Sequence, residues 1–195
     1  NIAVADTSSD NVEIIEVPKL SSVGEQRMLV LITEMLSSPT PPSIADIEEA
    51  ILDPNSPFQK YYVEQSYGRM SFAGDVYHIK LDRRPIGGAC DSGVSLLDTD
   101  VVSELKKQNI DLSKYNRVLF LPPVGYCSFV GELPFAIGST VYTTSESWVG
   151  FYAPNAEHLN HTLAHEIGHA LGLPHANGRD CGNDILHGEC KHIEY

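Results

Sequence analysis

The chain has 195 residues, 42% of them hydrophobic, and a formal net charge of −13. That length suits one domain able to bury its own core without staples. Its 13 Lys and Arg against 26 Asp and Glu argue against a nucleic-acid partner, since phosphate binding needs clustered cations. No apolar run approaches the length of a membrane-spanning helix.

Residues 1–26 are polar, with Ser, Asn and Asp around one alternating run from Val12 to Val17. They read as a leader strand or the trailing edge of a removed pro-segment. Met28 to Thr33 is a continuous apolar run, the mark of a strand buried on both faces. The Pro-rich stretch from Ser37 to Pro42 is a loop. Ser43 then opens a helix, with Asp46 three residues on as a variant of the capping box. Ile44, Ile47, Ile51 and Leu52 supply its apolar stripe. Phe58 to Ser66 forms a second helix ending at Gly68. Ser71 to Leu81 alternates like a strand, with Phe72, Val76 and Ile79 on the expected buried face.

Arg83 to Gly93 is a loop carrying Cys90. Leu96, Leu97, Val101, Val102 and Leu105 then mark an amphipathic helix closing on Lys106 and Lys107, which suit a helix C-terminus. Arg117 to Leu121 is a second buried strand, stopped by Pro122-Pro123. A loop with Cys127 follows, and then Phe135 to Thr144, expected to form one edge strand. A long helix spans about 155–171, with Leu159, Leu163, Ile167 and Leu171 as its core stripe. Strands alternate with helices, which gives an α/β (α+β) class with a mostly parallel sheet.

The long helix carries the chemistry. His165 and His169 are four apart and share one helix face, so two imidazoles reach one metal ion. Glu166 lies beside them, placed to take a proton from water at that ion. Gly172 can adopt the left-handed conformation that ends a helix, and Pro174 keeps it from resuming. His175 then returns as the third ligand. Three protein ligands and one open position describe a catalytic rather than a structural zinc. Seven of the eight histidines fall between His158 and His192. His161 also stands near this face, but it lies about 12 Å from His169 at 1.5 Å per residue. It therefore reads as a wall of the cleft or as plain surface.

The pattern H-E-x-x-H-x-x-G-x-x-H from His165 to His175 is the long zinc signature of the metzincin metallopeptidases. The surrounding residues resemble the gametolysin-like branch over roughly residues 26–195. The likeness rests on Gln26-Arg27-Met28-Leu29-Val30, on Phe58 to Gly68, and on Tyr115-Asn116-Arg117-Val118. Gly131, Gly138 and Trp148 ahead of the helix extend it. The resemblance implies a metzincin-like catalytic domain with a twisted, mostly parallel sheet and an antiparallel edge strand. It implies zinc on His165, His169 and His175, with Glu166 as general base. The 135–144 strand would line the cleft and hold an extended peptide by strand addition, with Phe135, Ile137 and Val141 as its candidates.

On this reading residues 1–26 precede the domain, 27–175 form an upper subdomain with the zinc helix, and 176–195 begin a lower one. Metzincins place a methionine-bearing turn beneath the zinc, yet the methionines here are Met28, Met35 and Met70. Ile193-Glu194-Tyr195 looks like the approach to that turn, so the expectation is a chain that continues further.

The expected function is a secreted zinc endopeptidase acting on protein or peptide substrates. A non-catalytic binding or toxin-like module on the same scaffold is the alternative. Asn1 is no initiator, no signal-peptide pattern precedes it, and four cysteines without a C-x-x-C pair fit two disulfides. Four buried thiols in a cytosolic protein are the other reading. Cys181 and Cys190 are near neighbours in sequence and expected partners, which leaves Cys90 with Cys127; Cys90 does not read as a zinc-blocking thiolate. Calcium is a second candidate cofactor without a located site, because Asp91, Asp98, Asp100, Asp180 and Asp184 are too scattered.

Overall fold

The apolar run after Arg27 forms the centre of the molecule. In a computed structural model that describes residues 21–83, 99–123, 129–130, 135–137, 140–142, 145–150, 156–175, 178–180 and 191–193, it lies within strand β1, Gly24–Met35. β1 pairs in parallel on one side with β2, Met70–Leu81, and on the other with β3, Arg117–Leu121. β3 pairs in parallel with β7, Ser145–Trp148, and β7 pairs antiparallel with β4, Phe129–Val130. The sheet order is β2-β1-β3-β7-β4. This is a mixed α/β fold with a mostly parallel open sheet, as the alternation of strands and helices requires.

Both faces of the sheet are covered. From β1 the chain moves outward to β2, then back past β1 to β3. Right-handed crossovers in opposite directions must lie on opposite faces. The first crossover holds α1, Ile44–Ile47, which continues as a π-helical turn over Glu48–Leu52, and α2, Pro57–Gln65. The second holds α3, Thr99–Lys107, followed by a 3-10 turn at Leu112–Lys114. α4, Ala156–Ala170, packs on the same face as α1 and α2.

Met28, Val30, Ile32, Leu119 and Leu121 accordingly join Phe58, Tyr62, Leu163 and Ile167 in one core. Leu29, Leu31, Val118 and Phe120 join Val101 and Leu105 in a second. This corrects one expectation for β2. Phe72 and Val76 face the first core, but Ile79 faces the second, because strand side chains alternate and α3 covers the far side.

The predicted capping box is present. Ser43 Oγ accepts from the Asp46 N–H at 3.1 Å, and Asp46 Oδ2 accepts from the Ser43 N–H at 3.3 Å. At the exposed edge of β2, Gln59 of α2 substitutes for a missing strand. Its Nε2 donates to Phe72 O at 2.7 Å and its Oε1 accepts from the Phe72 N–H at 3.2 Å, which occupies edge groups that would otherwise invite pairing.

A second correction concerns residues 135–144. They do not form one edge strand. Phe135–Ile137 (β5) and Thr140–Tyr142 (β6) pair antiparallel as a separate two-stranded unit. The antiparallel edge of the main sheet is Phe129–Val130 instead. The sequence between the two runs is Gly138-Ser139, and glycine in a strand pattern favours a break there.

β1 opens at Gly24, so part of the 1–26 segment belongs to the sheet, and Gln26 is fully buried. Beyond residue 175, β8 (Gly178–Asp180) pairs antiparallel with β9 (Lys191–Ile193). Val12 to Val17 and all four cysteines, Cys90, Cys127, Cys181 and Cys190, lie outside the described residues. Among those described, no helix is long and apolar enough to cross a membrane.

Candidate metal centre

α4 is amphipathic in the sense its spacing requires. Leu163 and Ile167 are buried in the first core, with Leu159 and Leu171 partly buried against it. Its other side carries His165 and His169, and the segment that follows returns His175 to them. Backbone conformation, turn hydrogen bonds and one side chain from the sheet set that return. Gly172 has φ +91°, a left-handed conformation cheap only for glycine. The Leu173 N–H donates to Gly168 O at 3.0 Å and the Gly172 N–H to His169 O at 2.8 Å, the Schellman pattern of a helix end. The carbonyl of Ala170 would need residue 174 as its helical donor, but Pro174 has no N–H. Arg117 supplies the bond instead, donating from Nη1 to Ala170 O at 2.8 Å.

The three imidazoles converge. His165 Nε2 lies 3.1 Å from His169 Nε2 and 3.2 Å from His175 Nε2. One ligand atom from each residue falls within 4.8 Å of the others, so the trio could hold a metal ion. Ligands about 2.0–2.1 Å from a tetrahedral centre stand about 3.3–3.4 Å apart, so the two separations from His165 are within a few tenths of an ångström of such a geometry. His169 Nδ1 lies 2.7 Å from Leu173 O. A carbonyl only accepts, so Nδ1 is the donor here, which leaves Nε2 as the nitrogen available to a metal. The turn that delivers His175 thus also fixes the tautomer of His169.

The electrostatics favour metal over protons. Partial burial lowers the pKa of His165, and the neighbouring His169, His175 and His161 lower it further. Its imidazole therefore stays neutral, the form that ligates. Glu166 is 6% exposed. Burial raises its pKa above the ordinary carboxylate range, while His169 and His175 pull the other way. A carboxyl whose charge is disfavoured by burial accepts a proton more readily than an exposed one.

The tripod opens into a recess of about 620 Å³, walled by Tyr61, Tyr62, Met70 and Leu173. His161 is exposed and, with Phe58, Tyr61 and Asn160, borders a second depression of about 380 Å³ that reaches His165. It is therefore a wall residue beside the site. Phe135, Ile137 and Val141, proposed from sequence as substrate contacts, sit on the β5–β6 unit rather than in the edge of the main sheet. No calcium site emerges: among the described residues, the His165, His169 and His175 group is the one cluster suited to a metal.

Sequence reasoning passed over Tyr62 and Arg117. Tyr62 of α2 donates from its hydroxyl to Ala164 O at 2.7 Å, one residue before His165. Arg117 grips the carbonyl one residue after His169. The signal for Arg117 was a cation opening an otherwise apolar strand. For Tyr62 there was none beyond an aromatic on a helix. Compared with family models and with curated proteins, the chain matches none.

Proposed function

We propose that the protein is a zinc-dependent endopeptidase of the metzincin class, similar to its gametolysin-like branch, and that it acts outside the cell. The observation that carries this reading is the convergence of three histidine nitrogens beside a buried glutamate. His165, His169 and His175 would hold the ion and leave one position for water or substrate. When bound, zinc would polarise a substrate carbonyl and make water a nucleophile at neutral pH. Glu166 would take the proton of the attacking water and pass it to the leaving nitrogen. The recess beside the tripod would admit an extended peptide.

A binding module that holds metal without turnover has no need of a proton acceptor beside the ion, so Glu166 favours the enzyme. Metal analysis and hydrolysis of a mixed peptide library test the reading together. Wild-type protein should bind one zinc and cleave peptides, and His169→Ala should lose both. Full zinc content in His169→Ala would remove the tripod. Stoichiometric zinc without cleavage of any peptide or protein would leave the binding module as the better account.

A further inference from the structure

Among the described residues, two charged side chains are buried, Glu166 and Arg117. The first is the proposed proton acceptor. The second has no part in the chemistry, yet it is 1% exposed and among the largest fully buried side chains. A buried guanidinium is expensive to desolvate, and an apolar residue of similar size would often fit a core at lower cost. Its contacts explain its presence. Nε donates to Gln26 Oε1 at 3.0 Å, Nη1 to Ser145 Oγ at 2.9 Å and to Ala170 O at 2.8 Å, and Nη2 to Ser21 O at 3.3 Å. All four acceptors are neutral. Burial lowers its pKa to about 10, so it is charged at neutral pH.

Three acceptors come from β1, β7 and the segment before β1, and Arg117 itself opens β3 beside them. The fourth is the carbonyl that Pro174 leaves without a backbone donor, at the negative end of α4. A planar fork of fixed donors can reach acceptors in several directions at once, which a lysine ammonium on a single stem cannot reproduce.

We infer that Arg117 is a positioning residue for the metal centre: it locks the end of α4 to the sheet, so that His169 and the turn leading to His175 are in place before the metal arrives. The role rests on the reading of the three histidines as metal ligands. It is distinct from a general contribution to the core, because the bond falls on a carbonyl within the Schellman turn that joins His169 to His175. Tyr62 holds the carbonyl before His165 in the same way, so both ends of the His165–His169 span are tied by side chains from other elements.

The test compares Arg117→Met, Arg117→Lys and, as a stability control, Leu105→Ala, which empties the core on the opposite face of the sheet. Zinc affinity is read by chelator competition, ligand geometry by the cobalt(II) absorption spectrum, and stability by thermal unfolding of the metal-free proteins. Arg117→Met should bind zinc about 10–100-fold more weakly, the range typical for groups that orient metal ligands, with an altered cobalt spectrum. Arg117→Lys should recover part of the affinity. Leu105→Ala should lower thermal stability and leave affinity and spectrum unchanged.

Wild-type affinity and spectrum in a folded Arg117→Met variant would overturn the inference, as would an equal loss in Leu105→Ala. Should neither Arg117 variant fold, the wild-type protein decides. Coupling is reciprocal, so zinc should slow exchange of the Arg117 Nη1 protons, which bond Ala170 O, measured by NMR, and unchanged exchange would overturn the role. Wild-type protein that binds no zinc would instead defeat the metal reading itself.

Discussion

Single side chains set the protonation balance of the site, and pH exposes it. In the metal-free protein His165 holds its proton less tightly than in the unfolded chain, whose histidines titrate near about 6.5. The unfolded chain therefore takes up the proton first, and stability is lost as pH falls through that range. Glu166 works in the opposite sense. Its folded pKa is raised by burial, so its charge costs stability above the ordinary carboxylate range and the cost disappears on acidification. Glu166→Gln should therefore be more stable than wild type at about pH 7 when metal is absent, with the gap closing near about pH 4. Thermal melts at the two pH values check the sign. The same variant should keep its zinc and lose at least about 10²–10⁴-fold in hydrolysis, the scale of general acid–base catalysis. Wild-type turnover would exclude Glu166 from the reaction.

Whole elements decide whether the third histidine arrives. The end of α4 is a Schellman turn on Gly172, with φ +91°. An alanine there meets no steric neighbour, so the cost of Gly172→Ala is backbone strain of about 1 kcal/mol. Because the strain falls between His169 and His175, zinc affinity should drop more than stability predicts, as titration and melting would reveal side by side. The Tyr62 hydroxyl offers a milder lesion. Tyr62→Phe removes the bond to Ala164 O and should cost about 1 kcal/mol, since the partner is part-buried. In the β8–β9 pair, Asp180 stands opposite Lys191, which brings together the chain on either side of 181–190. Non-reducing peptide mapping should therefore link Cys181 with Cys190; a Cys90–Cys181 peptide would refute that pairing.

At the scale of the molecule, the sheet separates two cores, and only one of them carries α4. Leu163 lies in the first core and Leu105 in the second. Leu163→Ala and Leu105→Ala should each cost about 2–5 kcal/mol, and their effects should add because they share no partner. They should differ in metal affinity, which only Leu163→Ala weakens, since it loosens the helix that bears two of the three proposed ligands. The same separation bears on metal removal. Among the described residues the three histidines belong to neither core, so a chelator should lower the melting temperature by mass action and leave the far-UV CD spectrum folded. Loss of the spectrum on chelation would show that the metal is structural.

Much of this was legible in the residues themselves. Helix periodicity puts His165 and His169 on one face, glycine and proline chemistry turns the chain at Gly172, and the continuous apolar runs at Met28 and Arg117 announce strands buried on both sides. These depend on bonds within about one helical turn or on local alternation, which any sequence carries openly. The face assigned to Ile79 was not legible, because it depends on which side of the sheet α3 crosses. The placing of the antiparallel edge at Phe129–Val130 was hidden for a related reason: its partners, Ser147 and Trp148 of β7, are distant in sequence. Arg117 and Tyr62 belong with these. Each reaches α4 from another element, Arg117 across 53 residues and Tyr62 across 102. The sequence by itself determined the proposed ligands, the proposed base and the turn between them. Only the tertiary structure decided what holds them in register, because a carbonyl left without a donor by Pro174 can find its partner only where folding brings β3 beside it.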